Sequence, residues 1–190
     1  MVQPSAGFLE MIVGPMWSGK TSRLLDLYAQ YSVCSVPVIM INYAGDASRG
    51  IADGRMKTHD GREAPCYSVR RLDEVPPDAV SAAAAVLVNE AQFFPDAGEW
   101  ILRIVEEEGK RVHAAGLAGD YLRRPFGTWL SLVPMADELV KKKAFCRTCR
   151  VRHASFSHRI VADRKVELIG ADGAYHPLCR GCYRRATEAE

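Results

Sequence analysis

The first sustained apolar run in the chain is Phe8-Leu9-Glu10-Met11-Ile12-Val13, which stops at a glycine. Beyond it Leu24, Leu27, Tyr28 and Tyr31 recur at i, i+3, i+4 and i+7. The run predicts a strand and the periodic set predicts one face of a helix. Pro37-Val38-Ile39-Met40-Ile41 is short, apolar and bounded by Pro37 and Asn42, so it predicts a buried parallel strand completing a βαβ unit. Residues 45–63 form a polar, glycine-punctuated stretch with Arg49, Arg55, Lys57, Thr58, His59, Asp60 and Arg62. Such a stretch predicts a surface loop, or one that folds over a bound anion. A weak helical pattern at residues 72–80 is interrupted by Pro76 and Pro77.

The same alternation continues. Ala83-Ala84-Ala85-Val86-Leu87-Val88 predicts a buried strand that ends in Asn89-Glu90. Over residues 97–108, Trp100, Ile101, Ile104 and Val105 share a helical face, and Gly109 is placed to end that helix. Residues 111–115 predict a further strand, with His113 a satisfied core residue. A helix is predicted over residues 130–140, with Pro134 near its start or breaking it. Strand and helix in turn define an α/β fold with a parallel sheet flanked by helices.

One segment changes the picture from fold to chemistry. Gly14-Pro15-Met16-Trp17-Ser18-Gly19-Lys20-Thr21 fits G-x-x-x-x-G-K-[ST] and stands between the first strand and the first helix. In that setting backbone N–H groups wrap nucleotide phosphates, the lysine reaches the β- and γ-phosphates, and the hydroxyl holds Mg2+. The helix N-terminus adds its dipole. At the end of the later strand, Glu90 is the candidate general base, while neutral Asn89 stands where a metal-site carboxylate is expected.

Near the C-terminus, Cys146-Arg147-Thr148-Cys149 and Cys179-Arg180-Gly181-Cys182 offer paired thiolates for one tetrahedral Zn2+. Between them a hairpin is predicted, from residues 154–161 and 165–169. Cys34 and Cys66 are isolated and read as small apolar residues. The 190 residues are 48% hydrophobic and 25% charged with a net charge of +2, too little for a dedicated nucleic-acid binder. Basic residues near the cysteines, Arg147, Arg150, Arg152 and Arg180, offset the charge of a four-thiolate zinc centre. No run is long enough to span a membrane, and residues 1–7 lack signal-peptide character, so a cytoplasmic protein is expected. Residues 1–143 are predicted as an ATP-binding domain, 144–183 as a zinc-binding unit and 184–190 as a disordered tail.

The order of these parts resembles the type II, cytosolic, zinc-containing thymidine kinase family. The resemblance runs from about Phe8 to Tyr183 and rests on Gly14 to Thr21, Thr58-His59-Asp60, Glu90 with Gln92-Phe93-Phe94, Arg124-Pro125-Phe126-Gly127, and the cysteine pairs with Tyr175-His176. It implies a P-loop NTPase-type sheet with a C-terminal zinc-bound lasso, and transfer of the ATP γ-phosphate to the 5′-hydroxyl of thymidine or deoxyuridine. It further implies Mg2+ with ATP, structural Zn2+, a homotetramer, and feedback by thymidine triphosphate, with neither nucleic acid nor membrane as partner.

Position by position, the resemblance implies Gly14, Pro15, Met16, Trp17, Ser18, Gly19, Lys20, Thr21 and Asn89 at the ATP, with Thr21 on Mg2+ and Glu90 as base. Asp60 falls near the metal and phosphates. Phe93, Leu117, Tyr121, Phe126 and Tyr175 fall at the nucleoside, and Cys146, Cys149, Cys179 and Cys182 at zinc. Departures from the family pattern are Asn89 for Asp, Leu117-Ala118-Gly119-Asp120-Tyr121 for L-D-G-T-F, and Gly170-Ala171-Asp172-Gly173 in the lasso. They raise an alternative: a catalytically weakened, nucleotide-binding regulatory homologue.

Overall fold

The computed structural model describes residues 6–45, 54–58, 61–162 and 173–188. Strand β1 (Phe8–Val13) leads through the glycine loop into α1 (Lys20–Val33), and β2 (Val38–Tyr43) follows. Short strands β3 (Arg55–Lys57) and β4 (Glu63–Pro65) pair antiparallel, and β5 (Tyr67–Val69) returns to the main sheet. Next come α2 (Pro77–Ala82), β6 (Ala85–Val88), α3 (Ala97–Glu106), β7 (Arg111–Gly116) and β8 (Glu138–Lys141). The central sheet has six strands in the order β5-β2-β6-β7-β1-β8, all parallel.

Both faces of this sheet are covered, so the strands read as apolar runs while their side chains still alternate. Leu9, Met11 and Val13 of β1 join Val112 and Ala114 of β7 in a core with Trp100, Ile101, Ile104 and Val105 of α3. Ile12 and Ala115 face the other way, against Leu24, Leu25 and Leu27 of α1. Glu10 and His113 share that second face. His113 Nδ1 and a Glu10 carboxylate oxygen are hydrogen-bonded, and the Tyr31 hydroxyl lies 2.8 Å from His113 Nε2. His113 is thus a satisfied core residue.

Residues 130–140 do not form the expected α-helix. Thr128–Met135 is a 3₁₀ helix, whose three-residue repeat sets the buried Trp129 and Leu132 on one side. With Pro134 inside the segment, a regular α-helical ladder is broken. The chain then turns extended because Asp137 grips β1: its carboxylate accepts the Leu9 N–H at 2.8 Å, and its own N–H donates to Leu9 O at 3.0 Å. That clamp makes β8 an edge strand, with Glu138 and Lys141 exposed along it.

The C-terminal unit contains β9 (Ala144–Phe145), β10 (His153–Ala154), β11 (Phe156–Arg159), β12 (Tyr175–Leu178) and α4 (Arg180–Glu188). Strand β11 pairs antiparallel with β12, Phe156 opposite Leu178 and Arg159 opposite Tyr175. The expected second hairpin arm, residues 165–169, lies outside the described residues. Residues 184–188, expected as part of a disordered tail, are the last turns of α4, anchored by the buried Cys182 and Tyr183. Among the described residues no helix is long and apolar enough to cross a membrane.

Candidate active site

In a parallel sheet the loops at the carboxyl ends of the strands share one edge, and ligands collect there. The loops after β1, β6 and β7 meet at that edge. The β1 loop is shaped by its glycines. Gly19 sits in the left-handed region at φ 76° and leads straight into Lys20, the first residue of α1. A methyl group on Gly14 would lie 2.6 Å from Ser18 Oγ and 2.8 Å from Lys142 O, so only glycine fits. Lys20 is buried and its ammonium donates to Pro15 O at 3.0 Å, within the loop. The buried Ser18 hydroxyl has no hydrogen-bond partner among the described residues. A curled loop with a helix N-terminus, a lysine and a spare hydroxyl suits a polyphosphate.

Across from the loop, the end of β6 delivers Asn89 and Glu90. Asn89 Oδ1 accepts the Thr21 hydroxyl at 3.3 Å. Its amide nitrogen donates to Asn42 Oδ1 at 2.7 Å, which fixes the carbonyl oxygen toward Thr21. A hydroxyl and a carbonyl oxygen side by side are hard oxygen ligands of the kind Mg2+ takes, so these residues fit the ion. Glu90 adopts φ 55°, ψ 42°, a left-handed conformation costly for a residue with a side chain. Gln92 steadies it: the Gln92 amide donates to Glu90 Oε2 at 2.8 Å, while its oxygen accepts the Leu117 N–H at 2.9 Å.

Gln92 therefore ties the ends of β6 and β7 together, a part not foreseen for it. Its position inside the Gln92-Phe93-Phe94 motif was the available signal. Beside it the Phe93 ring stacks on Tyr43 at 5.2 Å and meets Phe126 edge-on at 5.4 Å. Gly127 follows at φ 78°, where a methyl group would approach Gln92 O to 2.4 Å. Glu90, Gln92, Phe93, Leu117 and Phe126 thus form one connected group around a half-buried carboxylate.

Tyr121 and Tyr175 belong to a second group. The Arg159 guanidinium lies 4.0 Å over the Tyr121 ring and 5.1 Å over the Tyr175 ring, and its Nε donates to the Tyr175 hydroxyl at 3.1 Å. The Tyr183 hydroxyl donates to Tyr121 O at 2.6 Å. Asp120 is a loop organiser rather than a site acid: Oδ1 accepts the N–H groups of Leu122 at 2.9 Å and Arg124 at 2.8 Å. Asp60, expected near the metal and phosphates, lies outside the described residues, as do residues 170–172 of the lasso.

The sulfurs of Cys146, Cys149, Cys179 and Cys182 all lie within 4.8 Å of one another. Cys149 and Cys179 sulfurs are 4.0 Å apart, close to the edge of a tetrahedron with Zn–S bonds of about 2.3 Å. Burial opposes the Cys146 thiolate, yet backbone N–H groups from Cys149, Cys179 and Thr148 bring it down to about 6. Cys182 is pushed up to about 11 by burial and by the other sulfurs. Crowded thiols resist joint ionisation unless a cation sits among them, and Zn2+ is such a cation. Arg185 Nη2 donates to Cys182 Sγ at 3.1 Å and further offsets the cluster's charge.

A parallel sheet with a glycine-lysine loop at one strand end, a carboxylate at another and a four-cysteine cluster that could hold zinc defines a class, the kinases of α/β fold with a cysteine-centred C-terminal unit. The thymidine kinase family model matches residues 7–183, and the chain belongs to that family. It is 35% identical over 179 residues to the thymidine kinase of Monkeypox virus (strain Zaire-96-I-16), covering 94% of this chain and 98% of the viral one. It is 36% identical over 177 residues to the cytosolic thymidine kinase of Gallus gallus, covering 93% and 77%. The thymidine kinase of Yaba monkey tumor virus (strain VR587) is 35% identical over 178 residues, covering 94% and 95%.

Proposed function

We propose that the protein transfers the γ-phosphate of ATP to the 5′-hydroxyl of thymidine or deoxyuridine. The observation that carries this reading is the Thr21–Asn89 hydrogen bond, which sets the glycine loop directly against the residue preceding Glu90. The loop from Gly14 to Thr21 binds the triphosphate. Glu90, oriented by Gln92, accepts the proton of the 5′-hydroxyl and aims its oxygen in line with the γ-phosphorus. When bound, Mg2+ neutralises charge developing on the transferred group. Phe93, Leu117 and Phe126 enclose the base, and Tyr121 with Tyr175 hold the nucleoside side of the cleft. The family resemblance assigns Asp60 to the metal and phosphates as well. Zn2+ held by Cys146, Cys149, Cys179 and Cys182 would supply structure only, pinning β9, β12 and α4 together.

No observation favours the regulatory alternative that Asn89 raised, since Asn89 keeps a metal-suited oxygen beside Thr21. A cytoplasmic enzyme of nucleotide salvage, assembled as a homotetramer and inhibited by thymidine triphosphate, accompanies this proposal through the family. The decisive experiment is ADP release with and without thymidine, in wild type and Glu90→Gln. Wild type turns over only with nucleoside, and the variant loses about 10² to 10⁴ in kcat. Thymidine-independent ADP release in wild type, or near wild-type kcat in the variant, overturns the reading.

A further inference from the structure

Of the lysines at residues 141–143, Lys141 and Lys143 are exposed and Lys142 is half-buried. Strand β8 ends at Lys141, and the ladder continues one step further as Lys142 N–H donates to Val13 O at 2.7 Å. That bond sets Lys142 beside the glycine loop. Its side chain then runs across the loop from Gly14 to Gly19. A methyl group on Gly14 would lie 3.2 Å from Lys142 Cβ, and one on Gly19 would lie 3.9 Å from Cε and 3.7 Å from Nζ. Among the described residues no carboxylate pairs with this ammonium.

We propose that Lys142 is a further donor-phosphate-binding residue, a second ammonium that meets the ATP polyphosphate alongside Lys20. The inference rests on the reading of the glycine loop as the ATP site. Its warrant is electrostatic. Lys20, the positive end of α1 and Lys142 crowd like charge onto one loop, an arrangement unfavourable by itself and relieved by a polyanion. Without an anion a lysine at this spot gains nothing from facing inward, since its neighbours in sequence reach open water. Lys20 is occupied partly by Pro15 O, at 3.0 Å, so a second cation adds charge that the loop lysine does not supply alone.

The test uses Lys142→Gln and Lys142→Arg, with Lys143→Gln as a control for net charge and thermal melting as a check on folding. Steady-state constants for ATP and thymidine are measured at low and high salt, and tripolyphosphate binding is titrated without nucleoside. Lys142→Gln raises the KM for ATP about five- to tenfold at low salt, with the thymidine KM unchanged. It weakens tripolyphosphate by a similar factor and flattens the salt dependence of both. Lys142→Arg restores most of the affinity, and Lys143→Gln shifts it little. An unchanged ATP KM in Lys142→Gln overturns the proposal. So does an equal rise in the thymidine KM that Arg fails to rescue, because that pattern marks a structural role. Wild type that binds tripolyphosphate through Lys142 yet shows no thymidine-dependent turnover sinks the kinase reading and leaves Lys142 in place.

Discussion

At the scale of single residues, the neutral side chain at position 89 is held by what surrounds it. Asn42 presents its amide oxygen to Asn89 at 2.7 Å, so position 89 must supply a donor there. A carboxylate would instead face that oxygen until the Asn42 amide turned over, at the loss of a weak 3.4 Å contact to Tyr43 O. That turn is cheap, and the gain is a formal charge beside Thr21. Asn89→Asp therefore lowers the Mg2+ concentration for half-maximal activity by about tenfold. Titration of Mg2+ at saturating ATP measures it, and an unchanged midpoint removes position 89 from the metal site. The residues of this site were mostly legible as motif letters: Gly14, Lys20, Thr21, Glu90 and the cysteines declare their chemistry through type and spacing. Gln92 and Asp120 did not, because an amide or carboxylate that binds backbone N–H groups leaves no periodic trace in sequence.

At the scale of elements, β1, α1, β2, β6, α3 and β7 were readable because each carries an apolar pattern of the right period and a clear stop. Segments whose shape depends on partners were not. Strand β5 is three residues long, too short for alternation to register. Strand β8 has only Leu139 and Val140 between charged neighbours, and Leu139 is itself half exposed. Its extension comes from the Asp137 clamp on Leu9, a contact between residues far apart in sequence. Within β1 the interruption at Glu10 has a physical answer too. Its hydrogen bond to His113 outweighs the cost of burial and, with charges on His113 and Arg23, holds the carboxyl below its ordinary value of 4.5. A depressed folded pKa contributes stability above the unfolded value, and that stability is lost as pH falls through the folded one. Urea midpoints of wild type thus drop below about pH 4.5 more steeply than those of Glu10→Gln. Parallel pH profiles for the two proteins exclude the pair as a source of acid lability.

At the scale of the whole molecule, a doubly covered sheet and a small cysteine-centred unit divide the work. The smaller unit has a core of Ala144, Cys146, Ala154, Leu178, Cys179, Cys182 and Tyr183, too few apolar groups to hold together without a staple. Zn2+ supplies it. Cys182→Ser accordingly drops bound zinc, by metal analysis, from one per chain to a trace. Limited proteolysis then cuts between residues 144 and 188 before it reaches the sheet. Full zinc content and unaltered resistance in the variant contradict the assignment. The tandem C-x-x-C spacing made this unit visible in sequence. How far α4 extends was not visible, since its anchors Cys182 and Tyr183 are buried only once the cysteines converge.

Among the contacts that join the two units, the Met16 N–H donates to Ser157 Oγ at 3.0 Å. Met16 belongs to the glycine loop proposed above to hold the phosphate donor. Ser157 lies on β11, two residues before the arginine that carries Tyr121 and Tyr175. A ligand that shifts the loop shifts β11 with it, and one that shifts β11 shifts the loop. By thermodynamic reciprocity, whatever factor one ligand adds to the other's binding through this contact is returned in the same measure. The Ser157 hydroxyl is thus one route by which the glycine loop and the strand carrying Arg159 respond to each other.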